Sequence, residues 1–436
     1  MLHAGLHLLR AGGRWHADRR ALRHPAQRSA ARSPVPRCGD RPGTAARSAT
    51  ARTTGPGQRR AAVSGAFAPP TLPPAAGSAS TDDTTWHLAP EFGPIARQWL
   101  LWPCRPDNWR EGARPARRAF ATLAEALLAF DPVTIGTPAN LLAETRRQLP
   151  AGVDLAPIEA DDAWLRDSGP AFTRDPHGRR RALAFRFNAW GGADGGLYAD
   201  WSRDALVAPR IAELAGWPCT HVPLVLEGGA IHGDGAGTGL TTASCLLAPN
   251  RNPTLTRTGI EATLRAWLGF TRLIWLPEGL VGDETGGHVD NLACFLAPGR
   301  VALAVTDDPA SPHAAACQAA RSLLESTRDA QGQALAIIPI PLPEGVPPMS
   351  IAEANGIIPR AGSQPRRPGT PLTASYLNAV FASGAVVIPA FGVATDERAR
   401  RAWASALPGR EVIALPAREI LLGGGGLHCV TLSEPG

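Results

Sequence analysis

The residue of this chain whose setting most suggests covalent chemistry is Cys429, which follows four consecutive glycines in residues 421–431 (LLGGGGLHCVT). This run reads as a buried strand, a tight glycine turn and the start of a second strand over residues 427–431, since glycine belongs where backbone bends sharply or another group comes close. A thiolate is strongly nucleophilic once a nearby base or positive charge activates it, whereas an inactive cysteine beside a strand is an ordinary core residue. Three other stretches combine glycine turns with reactive side chains: WLRDSGP (164–170), LEGGAIHGD (226–234) and GGHVDN (286–291). His288 can act as acid and base. Asp290 would share its face if the backbone there is extended. Asp167 and Glu227 add two more carboxylates. A thiol, an imidazole and three carboxylates suit a planar cation attacked at carbon, a guanidinium, which carboxylates grip through paired hydrogen bonds.

Each residue also has a plainer reading. His288 fits a hydrogen-bonded core histidine, Asp167 an ion-pair partner of Arg166, and Glu227 a turn carboxylate. The pairs His232/Asp234 and His288/Asp290 both spell His-x-Asp, a pattern that can feed a two-metal centre able to hydrolyse guanidino compounds. Further ligands would then come from scattered residues and Cys429 would be idle, so a site without metal or cofactor is favoured. Asp234 in GDGAG reads as a hairpin residue, and GDGAGTG lacks the spacing of a nucleotide loop.

The elements that must hold these residues alternate along the chain. QWLLW (98–102) opens as a strand, ARRAFATLAEALLAF (116–130) has apolar residues at helical spacing before Pro132, and PVTIGT is a strand. Short strands and helices then continue to EVIALPA (411–417), which makes the chain α/β. If each glycine turn closes one strand of a repeated unit, the four turns converge. A module of roughly 70 residues, a repeat length within the range of propeller-type folds, would fit into the body about five times.

Residues 1–82 differ in texture: rich in Ala, Arg and Pro, without periodicity, they are expected to be a disordered extension to a catalytic domain over 83–436. The chain has a net charge of +6, but residues 1–80 hold 13 Arg against Asp18 and Asp40, so the body is acidic. That sign suits a small cationic substrate and argues against nucleic acid. No apolar run approaches a membrane span. Seven scattered cysteines without a CxxC pair point to a reducing, cytoplasmic setting.

With LLWPCRPDNWR, DDAWLRDSGPAF, FNAWGG, LEGGAIHGDGAGTGLTTASCLLAPNRNP, GHVDN, ASYLNAVF and EILLGGGGLHCVT in this order, the body resembles the agmatine deiminases of the guanidino-group-modifying (pentein) superfamily. The resemblance implies a five-bladed pseudo-symmetric α/β propeller. It implies hydrolysis of agmatine to N-carbamoylputrescine and ammonia without cofactor, in putrescine biosynthesis or arginine–agmatine degradation. By the same resemblance Cys429 is the nucleophile, His288 the general acid/base, and Asp167 and Asp290 the guanidinium clamps. Glu227 then lines the site, Trp164 walls the substrate, and Glu284 lies near its distal amine. It leaves room for a homo-oligomer. Three positions depart from the usual pattern: Gly426 stands for asparagine, Gly286 for aspartate and Ala230 for serine. Other readings are a deiminase of arginine or peptidyl-arginine, a metal-dependent ureohydrolase, or a non-catalytic polyamine binder.

Overall fold

The computed structural model describes residues 85–436; the expected extension over 1–82 lies outside them. Among the described residues the strands form five separate sheets. Each is built on one plan: an antiparallel hairpin, a helix, and a strand returning parallel to the hairpin's second strand. Ala171–Arg174 and Arg180–Arg186 are followed by the helix Val207–Ala215 and the strand Cys219–Val225. Ile231–Gly233 and Thr238–Thr242 are followed by the helix Arg257–Leu268 and Arg272–Leu276. The plan recurs with Ala293–Ala297, Arg300–Val305 and Ala336–Pro341, and with Val380–Ala382, Ala385–Ala390 and Glu411–Pro416. In the fifth sheet the chain's last strand, Thr431–Pro435, pairs antiparallel with its early strand Ile95–Leu101, which continues parallel into Val133–Thr137.

Local sequence explains these elements. The helix Arg114–Leu128 carries Pro115 in its first turn, where no N–H is missed. It buries Ala116, Phe120, Leu123, Ala124 and Leu127, a stripe at helical spacing against the core. Thr256 caps Arg257–Leu268 by accepting from the Gly259 N–H at 3.2 Å, and Gly269 ends that helix with φ 73°. The strand Val133–Thr137 is buried throughout, as a strand flanked on both faces should be.

Two expectations are corrected. Leu421 belongs to a short helix, Arg418–Leu421, rather than a strand; a brief buried apolar run does not distinguish the two. The glycine turns are not chiefly strand closures, although 226–234 does follow directly on Cys219–Val225; they open strands. Each leads into the first strand of a unit.

Candidate active site

That placement builds the site. Asp167 stands four residues before Ala171–Arg174, and Glu227 four before Ile231–Gly233. His288 and Asp290 come just before Ala293–Ala297, Asn378 just before Val380–Ala382, and Cys429 two residues before Thr431–Pro435. Every sheet thus contributes at the same point of its plan. None of these side chains sits within a strand. Asp167 lies in the single turn Leu165–Ser168, while Asp290 lies in a 3₁₀ turn, Val289–Asn291, with His288 just ahead. The expected extended backbone between His288 and Asp290 is therefore absent. They still meet, because the tight turn folds both toward Gly229. A Cβ on Gly229 would lie 2.6 Å from His288 Nδ1 and 3.0 Å from both Asp167 Oδ1 and Asp290 Oδ2. Only glycine lets three side chains converge there.

Hydrogen bonds fix each member. Asp167 Oδ1 accepts from the Gly229 N–H at 2.9 Å and Oδ2 from Trp190 Nε1 at 2.8 Å. Trp190 does so from a left-handed backbone, φ 64°, strained for so large a residue. Glu227 Oε1 accepts from Arg251 Nε at 2.7 Å, and the same arginine donates to the Thr285 carbonyl, tying this turn to the histidine loop. Asp283 accepts from the His288 N–H at 3.0 Å and from Asn291 Nδ2 at 3.1 Å. Gly286, at φ 89°, lies in the left-handed region that glycine enters without strain.

The expected strand start at Cys429 is a turn; the strand begins at Thr431. Its thiol lies 3.6 Å from Asp290 Oδ2 and accepts from Asn378 Nδ2 at 3.1 Å. Asn378 also donates to Asp290 and Asn291, and its Oδ1 accepts from the His428 N–H at 2.9 Å. Asn378 escapes sequence reading because ASYLNAVF has no glycine turn and no thiol, imidazole or carboxylate to mark it. Its position two residues before a first strand, like that of Cys429, is the signal that would have found it. The His428 ring is held by two carboxylates: Nδ1 meets Asp290 Oδ2 at 2.9 Å and Nε2 meets Glu91 Oε2 at 2.8 Å. Both partners are acceptors, so both nitrogens donate and the ring is cationic.

Charge follows from this geometry. Burial pushes the Asp290 carboxyl up, but the His428 hydrogen bond and charge, with His288 and Arg166, hold it below the usual carboxylate range. Burial raises Asp167, and Asp290 and Glu227 add to that against the pull of His288. His288 is held well above the ordinary imidazole range despite burial, by Asp167 first and then Cys245 and Asp290. Burial, Asp290 and Asp167 push the Cys429 thiol well up. That direction favours the protonated thiol at Cys429. Asp290 Oδ1, Glu227 Oε2 and both His288 ring nitrogens are buried without hydrogen-bond partners. Buried polar atoms rarely stay so unless something else binds them.

The glycine run packs against protein rather than standing open. A Cβ at Gly423 would meet Trp109 at 2.5 Å, at Gly425 Trp164 at 2.7 Å and Cys429 Sγ at 3.1 Å, and at Gly426 Asn378 Oδ1 at 2.3 Å. Gly426 is thereby explained, since its place is filled by the residue that holds Cys429. Trp164 stacks on Trp109 with centroids 5.2 Å apart, and both indoles donate to Asp162. Glu284 lies outside the buried cluster, beyond Gly424, ion-paired to Arg366. Of the two His-x-Asp pairs, His232 accepts from the Phe295 N–H and Asp234 caps its own hairpin through the Ala236 and Thr238 N–H groups. Among the described residues the one ligand-type cluster, Glu227, Cys245 and His288, takes only His288 from the two pairs.

Residues 87–435 match the family model described as Porphyromonas-type peptidyl-arginine deiminase. An agmatine deiminase of Stutzerimonas stutzeri is 46% identical over 352 residues, covering 80% of this chain and 95% of that protein. One of Pseudomonas putida is 45% identical over 354 residues, with the same coverage. The solved agmatine deiminase of Enterococcus faecalis superposes with a TM-score of 0.79 at 37% identity, covering 80% of this chain and 96% of that one. With matches that span nearly the whole body, the chain belongs to the Porphyromonas-type peptidyl-arginine deiminase family.

Proposed function

We propose that this protein hydrolyses the guanidinium group of agmatine, giving N-carbamoylputrescine and ammonia through an amidino-thioether on Cys429, without metal or cofactor. The observation that carries this reading is the buried cluster of Asp167, Asp290, Glu227 and His288 around Gly229, with unpartnered acceptor atoms and a thiol at its edge. The 45–46% identical agmatine deiminases support the choice of substrate. Five sheets on one plan support a five-bladed ring in which the first strands line the axis. The free state of Cys104, Cys219, Cys245, Cys294, Cys317 and Cys429 supports a cytoplasmic setting.

In this mechanism Asp167 and Asp290 clamp the guanidinium. Its positive charge offsets the two carboxylates that keep the thiol protonated, so the thiol yields its proton to water. The sulfur, already positioned, attacks the guanidinium carbon. His288 enters as imidazolium and gives its proton to the departing nitrogen, which leaves as ammonia. Now neutral, it takes a proton from a water that adds to the same carbon; the C–S bond breaks and the carbamoyl product leaves. Glu227 faces His288 with Oε2 4.0 Å from Nε2, and Trp164 walls the substrate.

Ammonia release from agmatine, arginine and an arginyl peptide, measured in parallel, tests the reading. Agmatine is expected to be turned over fastest. Turnover of the peptide but not of agmatine would place the chain with the peptidyl-arginine deiminases after which its family model is named.

A further inference from the structure

Glu284, the acidic residue expected near the distal amine, is already occupied. Arg366 donates through Nη1 to Glu284 Oε1, and through Nη2 to the Gly423 carbonyl at 2.6 Å and to Asn108 Oδ1 at 3.1 Å. Its side chain is only 9% exposed, whereas Glu284 is 30% exposed. The arginine comes from the irregular stretch between the helix Ile351–Asn355 and the strand Val380–Ala382. That stretch is pinned nearby: Gln364 N–H donates to the Leu197 carbonyl, and Ser363 bonds Arg105 and Asp107. Arg366 and Trp164 line one small cavity together with Asn108, Asp162 and Trp190. Trp190 is the residue that holds Asp167, so this cavity adjoins the guanidinium clamp.

Distance makes the arrangement meaningful. A Cβ on Gly425 would lie 3.1 Å from Cys429 Sγ, and one on Gly424 would lie 2.7 Å from Glu284 Oε2 and 2.8 Å from Arg366 Nη2. The two glycines are neighbours, so the sulfur and the Glu284 carboxylate are at most roughly 13 Å apart. Six bonds separate the guanidinium carbon of agmatine from its ammonium nitrogen, a reach of about 7 Å. With about 3 Å at each end for attack and hydrogen bonding, the extended substrate spans that gap. The acidic residues that line the cavity, Asp162 and Asp107, have internal donors: Asp162 serves Trp109, Trp164 and Asn108, and Asp107 serves Arg105 and Ser363.

We propose that Arg366 holds the distal-ammonium subsite in the empty enzyme and is exchanged for the substrate's own cation at Glu284, which makes Arg366 a specificity-determining residue. The inference rests on the agmatine reading above. An ammonium at the end of a four-carbon tail replaces the ion pair it breaks. A tail ending in methyl gains nothing from Glu284 and leaves Arg366 in place. Arg366 therefore sets how tightly agmatine binds, by competing with it.

The test compares KM for agmatine and for butylguanidine, which has the same tail without the amine, in the wild type, Arg366→Gln, Arg366→Lys, Glu284→Gln and the double variant. Loss of the competing cation in Arg366→Gln should lower the agmatine KM by roughly two- to fivefold, the scale of a partly exposed ion pair. The butylguanidine KM should stay put, whatever happens to kcat through the lost Gly423 contact. Arg366→Lys keeps a cation and should fall between. Glu284→Gln should raise the agmatine KM alone, and in that background Arg366→Gln should no longer move it. An agmatine KM that rises in Arg366→Gln, or that moves equally with butylguanidine, overturns the exchange and leaves the agmatine reading intact. A wild type that releases no ammonia from agmatine removes both.

Discussion

Among single residues the least expected role belongs to His428. It neighbours Cys429, yet its ring is locked between Asp290 and Glu91. Its fixed positive charge, with help from His288 and Arg166, is what keeps a buried Asp290 ionised. Asn378, Cys429 and Asp167 complete the set around that carboxylate. His428→Gln removes the cation, so burial pushes Asp290 up and it takes a proton at a higher pH than in the wild type. The acid limb of the kcat/KM profile should shift to higher pH, and an unmoved limb would refute this role. The alkaline limb should follow His288, which must be cationic and is held well above its ordinary range. Asn378→Ala leaves the thiol and Asp290 without a shared donor. Losing such a buried bond costs about 1–3 kcal/mol, so kcat should fall roughly tenfold or more, with agmatine KM changing less. The residues legible in sequence were those beside glycines: Asp167, Glu227, His288, Asp290 and Cys429. Asn378, His428 and Glu91 were not, because their roles depend on partners up to 337 positions away in the chain.

At the scale of elements, sequence reading recovered the long helices and the buried strands, such as Arg114–Leu128 and Val133–Thr137, whose periodicity or unbroken apolar run is local. It mistook the short connecting pieces. The turn holding Asp167, the 3₁₀ turn of Asp290 and the helix before the glycine run are each set by tertiary bonds, through Gly229, Asp283 and the Arg418–Glu353 pair. The glycine run shows the same division. Its flexibility was plain, but not its neighbours. Gly426→Asn would place a Cβ 2.3 Å from Asn378 Oδ1. Asn378 would have to release Cys429, so kcat should drop while the fold survives; a more active variant would mean that Asn378 has room to move. Gly425→Ala, pressed on Trp164 and the sulfur, should be less active still. Both are read from kcat together with a thermal melt.

For the whole molecule, the closure of the fifth sheet by the chain's last strand ties fold and chemistry together. Glu434 in that strand accepts from Trp99 and Trp217, and Cys429 is presented just before it. Deleting residues 431–436 should lower the melting temperature by ~10 °C or more and abolish turnover. Deleting residues 1–82, which precede the family match, should leave specific activity unchanged, and a chelator should do the same. Among the described residues no helix is long and apolar enough to cross a membrane.

The central claim is that Cys429 becomes covalently joined to agmatine less one ammonia. Rapid acid quench during turnover, followed by peptide mass mapping, tests it most directly. The account predicts that adduct on the Cys429 peptide in the wild type, its accumulation when His288→Ala slows the water step, and its absence with complete loss of ammonia release in Cys429→Ser. Steady ammonia release from agmatine by Cys429→Ser, with no adduct on the wild-type peptide, would contradict it.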